Sequence, residues 1–276
     1  MIPLVDKLVD LAIAEDIGTG DITTDNLVPA ERQGSAVIVA KEPLIVAGLD
    51  IARDVFARFD RDARFKPCCA EGDLVETGGT LVELNGKLAA LLKGERIALN
   101  FLQRLSGIAT HVRAYMKLTG KSKVHLVDTR KTTPGWRVLE KHAVRVGGAS
   151  NHRMGLYDGV LIKDNHIAVC GGVKKAIDRI RGRVSHLVKI EIEASDLDQV
   201  REALEAGADV IMLDNMDLEQ TRQAVALIAK RAMVEISGNI TDKNIERLID
   251  TGVDIISSGA LTHAARAVDI SMKING

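Results

Sequence analysis

Six apolar runs, each closed by a polar or charged residue and separated by helical stretches, constrain this chain more than any other feature. "KVHLV" ends at Asp128, "DGVLI" at Lys163, "LVKIEI" at Glu193, "DVIML" at Asp214, "MVEI" at Ser237 and "VDIIS" at Ser258. The intervening segments include "DLDQVREALEAGA", "DLEQTRQAVALIAKRA" and "TDKNIERLIDTG". Continuous apolar runs alternating with helices predict parallel strands covered on both faces and built from repeated βα units. The favoured architecture is an incomplete (β/α) barrel of about six to seven strands. A doubly wound sheet is the alternative, but no glycine fingerprint follows the first run to support it.

The N-terminal part has a different texture. "MIPLVDKLVDLAIAED" reads as an amphipathic helix, not a targeting peptide. From about residue 34 to 85, short β runs are broken at Pro43, Gly72, Gly78, Gly79 and Gly86. "LAALLKGERIALNFLQRLSGIATHVRAYMKLTG" then returns to a helical period. The expected division is an α+β unit over residues 1–105 and the β/α barrel over 106–276, with the last helix packing back on the first unit.

Several function classes are disfavoured by composition. A formal net charge of -1 and 3% aromatic residues argue against nucleic acid or an anionic membrane as partner. No apolar run approaches the roughly 20 residues of a membrane span. Cys68, Cys69 and Cys170 form neither a metal-ligand pattern nor a disulfide framework, which fits a reducing cytoplasm. Any anion specificity must therefore be local.

Active sites of such barrels lie at the C-terminal ends of the strands, where this chain groups its chemistry by type. The first two runs and their loop supply cations: Arg130, Lys131, Arg153 and Lys163, with His152 alongside. Glu193 and Asp214 follow, then "SGN" at 237–239 and "SGA" at 258–260, read as loops with free backbone amides. Converging cations suit an anion of more than one charge, and the amide-rich loops suit a phosphate. The two carboxylates could bind a sugar diol, hold a divalent ion through its waters, or stabilise a developing cation. Glu191 and Glu193 share one side of their strand, and the pattern does not decide which reaches a ligand. Lys141 and Arg145 can be read as an exposed helix face, and Gly147-Gly148 as a helix C-cap. Together the residues point to transfer at the anomeric carbon of a phosphorylated sugar, with a bisanionic planar or carboxylated co-substrate.

The motifs "AEDIGTGDITT", "GERIALNFLQRLSGIAT", "DTRKTTPG", "GGASNHRMGLYDGVLIKDNHI", "EIEA", "LDNM", "EISGNI" and "GVDIISSGALTH" run nearly from end to end. In them the chain resembles the quinolinate phosphoribosyltransferases, the decarboxylating pyrophosphorylases of NAD biosynthesis. The resemblance implies an N-terminal α/β sandwich joined to an open β/α barrel, and use of Mg²⁺ with phosphoribosyl pyrophosphate. It also implies a homodimer, or a hexamer assembled from dimers. On this basis Thr129, Arg130, His152, Arg153 and Lys163 line the quinolinate pocket, and Arg96 reaches into the neighbouring subunit's site. Lys131 sits near pyrophosphate and pyridine; Lys131, Glu193 and Asp214 are the catalytic candidates. Glu193 and Asp214 face the ribose hydroxyls and the metal, directly or through water. Ser237, Gly238, Asn239, Ser258, Gly259 and Ala260 bind the 5′-phosphate. The departures from the family pattern are Trp136, His142 and Ala149.

Three rivals are weaker. A transferase acting on a monocarboxylate would not need four cations and Arg96. "AEGDLVETGGTLVEL" has the rhythm of a biotinyl or lipoyl carrier, but no lysine sits at its hairpin tip. A barrel that binds ligand without catalysis would release no CO₂ from quinolinate.

Overall fold

This computed structural model describes residues 3–275. The N-terminal elements are α1 (Pro3–Ile17), α2 (Ile22–Leu27), β1 (Gln33–Ala40), β2 (Leu44–Ile45), α3 (Leu49–Phe59), β3 (Arg64–Pro67), β4 (Leu74–Val75), β5 (Thr80–Lys87) and the long α4 (Leu88–Thr119). The repeating part follows as β6 (His125–Val127), α5 (Arg137–Gly147), β7 (Val160–Ile162), α6 (Asp164–Cys170), α7 (Val173–Arg181), β8 (Ile190–Ala194), α8 (Leu197–Glu205) and β9 (Val210–Asp214). It continues through α9 (Leu218–Ile228), β10 (Met233–Ser237), α10 (Ile245–Ile249), β11 (Ile255–Ser257), α11 (Ala260–His263) and β12 (Ile270–Asn275).

Two units emerge, and neither is a single stretch of chain. The first comprises residues up to Ala114, Thr132–Gly148 and the segment from Leu261 onward; the second comprises Tyr115–Lys131 and Ala149–Ala260. The first unit thus includes a piece of the repeating sequence, and the end of the chain enters it as a strand, not as a helix. β12 pairs antiparallel with β1 in a sheet ordered β12-β1-β5-β3. The returning segment is fastened along α4. Gln103 Nε2 donates to the Ile270 carbonyl at 3.0 Å, and the Gln103 carbonyl accepts from the Val268 amide at 3.1 Å. Gly107 is required at this crossing, because a Cβ there would meet the Arg266 carbonyl at 2.1 Å.

Burial also corrects the reading of α5. Glu140 and Lys141 are fully buried, while Arg145 is exposed. Glu140 accepts from Arg104 Nη2 at 2.8 Å and from the Thr133 hydroxyl at 2.9 Å, so its buried charge is matched. Trp136 stacks on Phe101 at 4.9 Å, and His142 Nε2 lies 3.3 Å from Glu71. Gly148 caps α5 at φ 109° as expected.

In the second unit all six expected runs form one parallel sheet, ordered β6-β11-β10-β9-β8-β7. From β7 to β11 each strand lies beside its successor, and β6 joins β11. That is a single winding opened between β6 and β7, which excludes the doubly wound order. Register partners in a parallel sheet share a face, and successive residues alternate. One face carries Ile192, Ile211, Val234, Ile256 and Leu126, each 3% exposed or less, which is the covering expected under helices. The other carries Glu191, Glu193, Asp214, Glu235, Ser237 and Ser257. A parallel sheet with one polar face departs from the rule for buried strands, and that face is where the chemistry lies.

Candidate active site

β9, β10 and β11 end in step. Asp214 is the register partner of Ser237, and Ser237 of Ser257. Glu193 shares their face, its partner on β9 being Met212, one alternation below Asp214. On the other side of β8, Lys163 at the end of β7 forms an ion pair with Glu193. The expected acids, the Lys163 cation and Ser237 therefore project from one side of one sheet.

The cationic loop is built on Asp128, the residue that ends the "KVHLV" run and is fully buried. Its Oδ1 accepts the His152 amide at 2.9 Å and its Oδ2 accepts Asn151 Nδ2 at 2.7 Å. The loop then curls around Asp158, which accepts the amides of Met154 at 2.7 Å and Gly155 at 2.9 Å. Arg153 Nη1 donates to the Gly159 carbonyl at 2.9 Å, fixing one edge of its guanidinium. Burial, then the charge of Arg130, lowers the Arg153 pKa, while Glu191, Asp158 and Glu193 oppose this. Two guanidinium groups are thus held within each other's field.

His152 reaches the polar face of the sheet. Its Nε2 lies 3.1 Å from Glu191 Oε2 and 3.6 Å from Glu235 Oε1, the second distance being beyond hydrogen-bond reach. Burial acts to lower its pKa, but the hydrogen-bonded Glu191 and then Glu235 outweigh it and push the ring up to about 10. The Arg153 amide lies 2.8 Å from Nδ1, a hydrogen bond that the singly protonated ring, with its proton on Nε2, accepts. A second ring proton, favoured by the carboxylates, would displace that amide. Burial raises Glu191 above its ordinary range; His152 opposes this and Glu235 adds to it. Glu191 is thereby tied to histidine, whereas Glu193 is tied to Lys163. His152, Glu191 and Glu235 also form a group of three whose ligand atoms are close enough to share a cation.

Of the remaining candidates, Lys131 is exposed, and its amide bonds back to the Thr129 hydroxyl at 3.1 Å. Gly238 and Asn239 are left-handed at φ 97° and 50°. The reading of free amides on the last loop needs correction at Ser258, whose N–H donates to the Val127 carbonyl at 3.0 Å and completes the strand pairing. Arg96 is exposed on α4 and belongs to the first unit, so it is not among the residues the parallel sheet gathers. Sequence reasoning did not single out Asp128 as the loop's anchor, Glu235, or Asn215 at the exit of β9. The signal was present, since all three stand in or just after the polar-face alternation of their runs.

The model for the C-terminal domain of quinolinate phosphoribosyl transferase matches residues 108–273, and the model for the N-terminal domain matches residues 21–106. The chain belongs to the quinolinate phosphoribosyltransferase family. A family relative from Bacillus subtilis, described as a probable nicotinate-nucleotide pyrophosphorylase (carboxylating), is 45% identical over 97% of this chain and 92% of its own length. A second, from Synechocystis and described in the same words, is 42% identical over 98% of this chain and 92% of its own length. The crystal structure of NadC from Streptococcus pyogenes superposes with a TM-score of 0.95 at 42% identity, covering 98% of this chain and 96% of that one. The N-terminal antiparallel sheet and the open parallel sheet are thus the architecture of the family.

Proposed function

We infer that the chain transfers the phosphoribosyl group of phosphoribosyl pyrophosphate to quinolinate with decarboxylation. The products are nicotinate mononucleotide, pyrophosphate and CO₂, a step of NAD biosynthesis. Family membership, with the two domain models matching residues 21–106 and 108–273, supports this. The observation that carries the choice of a dicarboxylate is Arg153, anchored by Nη1 on the Gly159 carbonyl and within the field of Arg130, with Lys163 a further cation at the end of β7. Such a cluster is relieved by an anion with two charges more than by one.

In this reading Arg130, Arg153 and Lys163 hold the two carboxylates, with Thr129 and His152 bordering the pocket. They aim the ring nitrogen at the anomeric carbon, which it bonds as the carbon–oxygen bond to pyrophosphate breaks. Lys131 faces the departing charge, and Glu193 and Asp214 favour positive charge on the ribose ring. Loss of the adjacent carboxylate as CO₂ leaves its electron pair on the ring carbon, where the neighbouring quaternary nitrogen stabilises it by its positive charge, and that carbon then takes a proton. No protein nucleophile is involved.

Mg²⁺ would enter with the pyrophosphate substrate. Asp214 and Glu193 are oxygen donors of the kind this ion takes; Asp214 is half-buried with one oxygen meeting Asn215, while Glu193 is paired with Lys163, so the two would hold the ion through its waters. When bound, the ion would neutralise charge on the leaving group. The 237–239 and 258–260 loops receive the 5′-phosphate, and Arg96 completes the site of a second copy in a homodimer or in a hexamer built from dimers. A cytoplasmic location suits the three free cysteines. No helix among the described residues is long and apolar enough to cross a membrane.

Incubation with quinolinate, phosphoribosyl pyrophosphate and Mg²⁺ tests the reading. Equal amounts of CO₂ and nicotinate mononucleotide are expected. Efficient use of nicotinate in place of quinolinate would overturn the dicarboxylate assignment.

A further inference from the structure

Asn215 stands directly after Asp214, is exposed, and has a left-handed backbone at φ 55°. An asparagine tolerates that conformation better than most residues but still pays in stability, and such outliers concentrate at functional sites. Its carboxamide is used at both ends. Nδ2 donates to Asp214 Oδ1 at 3.1 Å, and Oδ1 accepts from Asn239 Nδ2 at 3.3 Å. Its backbone amide donates to the Ser237 carbonyl at 3.2 Å, across to the next strand. The carboxamide also lies against Gly238, where a Cβ would fall 2.2 Å from Oδ1. Beyond it, the Asn239 carbonyl accepts from Asn244 Nδ2 at 2.9 Å, and Asn244 Oδ1 accepts the Thr241 amide at 2.8 Å. One exposed side chain therefore joins the carboxylate ending β9 to the left-handed loop that follows β10.

A side chain with this exposure contributes little to the core, so packing does not explain why it is held so closely. Its contacts run between two parts of the site: a carboxylate assigned above to the ribose, and a loop assigned to the 5′-phosphate. We propose that Asn215 is a positioning residue for the phosphoribosyl donor, its carboxamide fixing the spacing between Asp214 and the 238–239 loop. The proposal rests on the transferase reading given above. It concerns the donor alone, because the carboxylate-binding cations belong to β6, β7 and the loop between them.

The test compares Asn215→Gly, which keeps the left-handed backbone and removes the carboxamide, with the unsubstituted chain. The KM for phosphoribosyl pyrophosphate is expected to rise about tenfold or more, as for a lost substrate-aligning contact, while the Kd for quinolinate stays within about twofold. Asn215→Asp is the second variant. It keeps the acceptor toward Asn239 but sets a negative charge against Asp214, so the same selective loss is expected if Asn215→Gly folds poorly. Unchanged donor KM in both variants overturns the proposal. Equal weakening of donor and quinolinate also overturns it, since that pattern marks general damage. Absence of turnover by the unsubstituted chain would remove the activity and this proposal together, whereas normal turnover with unchanged variants removes this proposal alone.

Discussion

The fully buried carboxylate of Asp128 accepts the backbone amide of His152 at 2.9 Å, so the end of the first parallel strand fixes where the cationic loop begins. With Asn151 on its other oxygen, Asp128 is the reason an apolar run can end in charge without exposing it. Replacing it by alanine leaves two donors without their charged acceptor. Asp128→Ala is expected to lower unfolding stability by about 3 kcal/mol, with hydrogen bonds to charged groups near 1.5–3 each. Asp128→Asn should lose less. Urea unfolding followed by circular dichroism measures both.

Arg153 is held by Gly159 on one edge and faces the Arg130 charge, leaving its remaining donors to meet a ligand carboxylate. Arg153→Ala and Lys163→Ala are each expected to weaken quinolinate binding roughly 10- to 100-fold, the scale of one charge-assisted contact. Arg153→Lys should recover only part of this, because an ammonium lacks the planar fork. Isothermal titration with quinolinate decides, and near-normal affinity in the alanine variants would remove these residues from the pocket.

Gly238 has φ 97° and no room for a methyl group beside Asn215. Gly238→Ala combines a left-handed penalty of roughly 1–2 kcal/mol with a displaced carboxamide. The expected outcome is a several-fold higher KM for phosphoribosyl pyrophosphate, read from initial rates, with quinolinate binding little changed.

Glu42 in the first unit accepts from Arg266 Nη1 and from the Asp269 amide, both at 2.8 Å. The hydrogen bond to Arg266, then the Asp269 amide, lower its pKa from 4.5 to about 2. A group depressed on folding stabilises fully above its unfolded value, and the benefit is lost as pH falls through its folded value. The contribution therefore fades between about pH 4.5 and 2, and Glu42→Gln should flatten the stability profile in that window. Acid titration of the melting temperature, compared between the two proteins, measures it.

Much of the second unit was legible. The runs "KIEIEA" and "MVEIS" alternate charge with isoleucine, and that alternation is the split between the helix-covered face and the face bearing Glu191, Glu193 and Glu235. The placement of Lys163, Glu193, Asp214 and Ser237 followed from their position at strand ends. What sequence did not reveal depends on partners remote in the chain. Burial of Glu140 requires Arg104 from α4, and the role of Trp136 requires Phe101, so no local period could separate the covered side of α5 from its exposed side. The β12 strand was hidden similarly, because a short amphipathic segment takes its form from the edge it joins.

Because β12 lies along β1, a ribosome must pass through the whole parallel sheet before it makes the strand that finishes the opening one. Nascent chains ordinarily complete their leading module early. Here the leading module waits with one flank of β1 bare, and its maturation is deferred until Ile270–Asn275 has emerged.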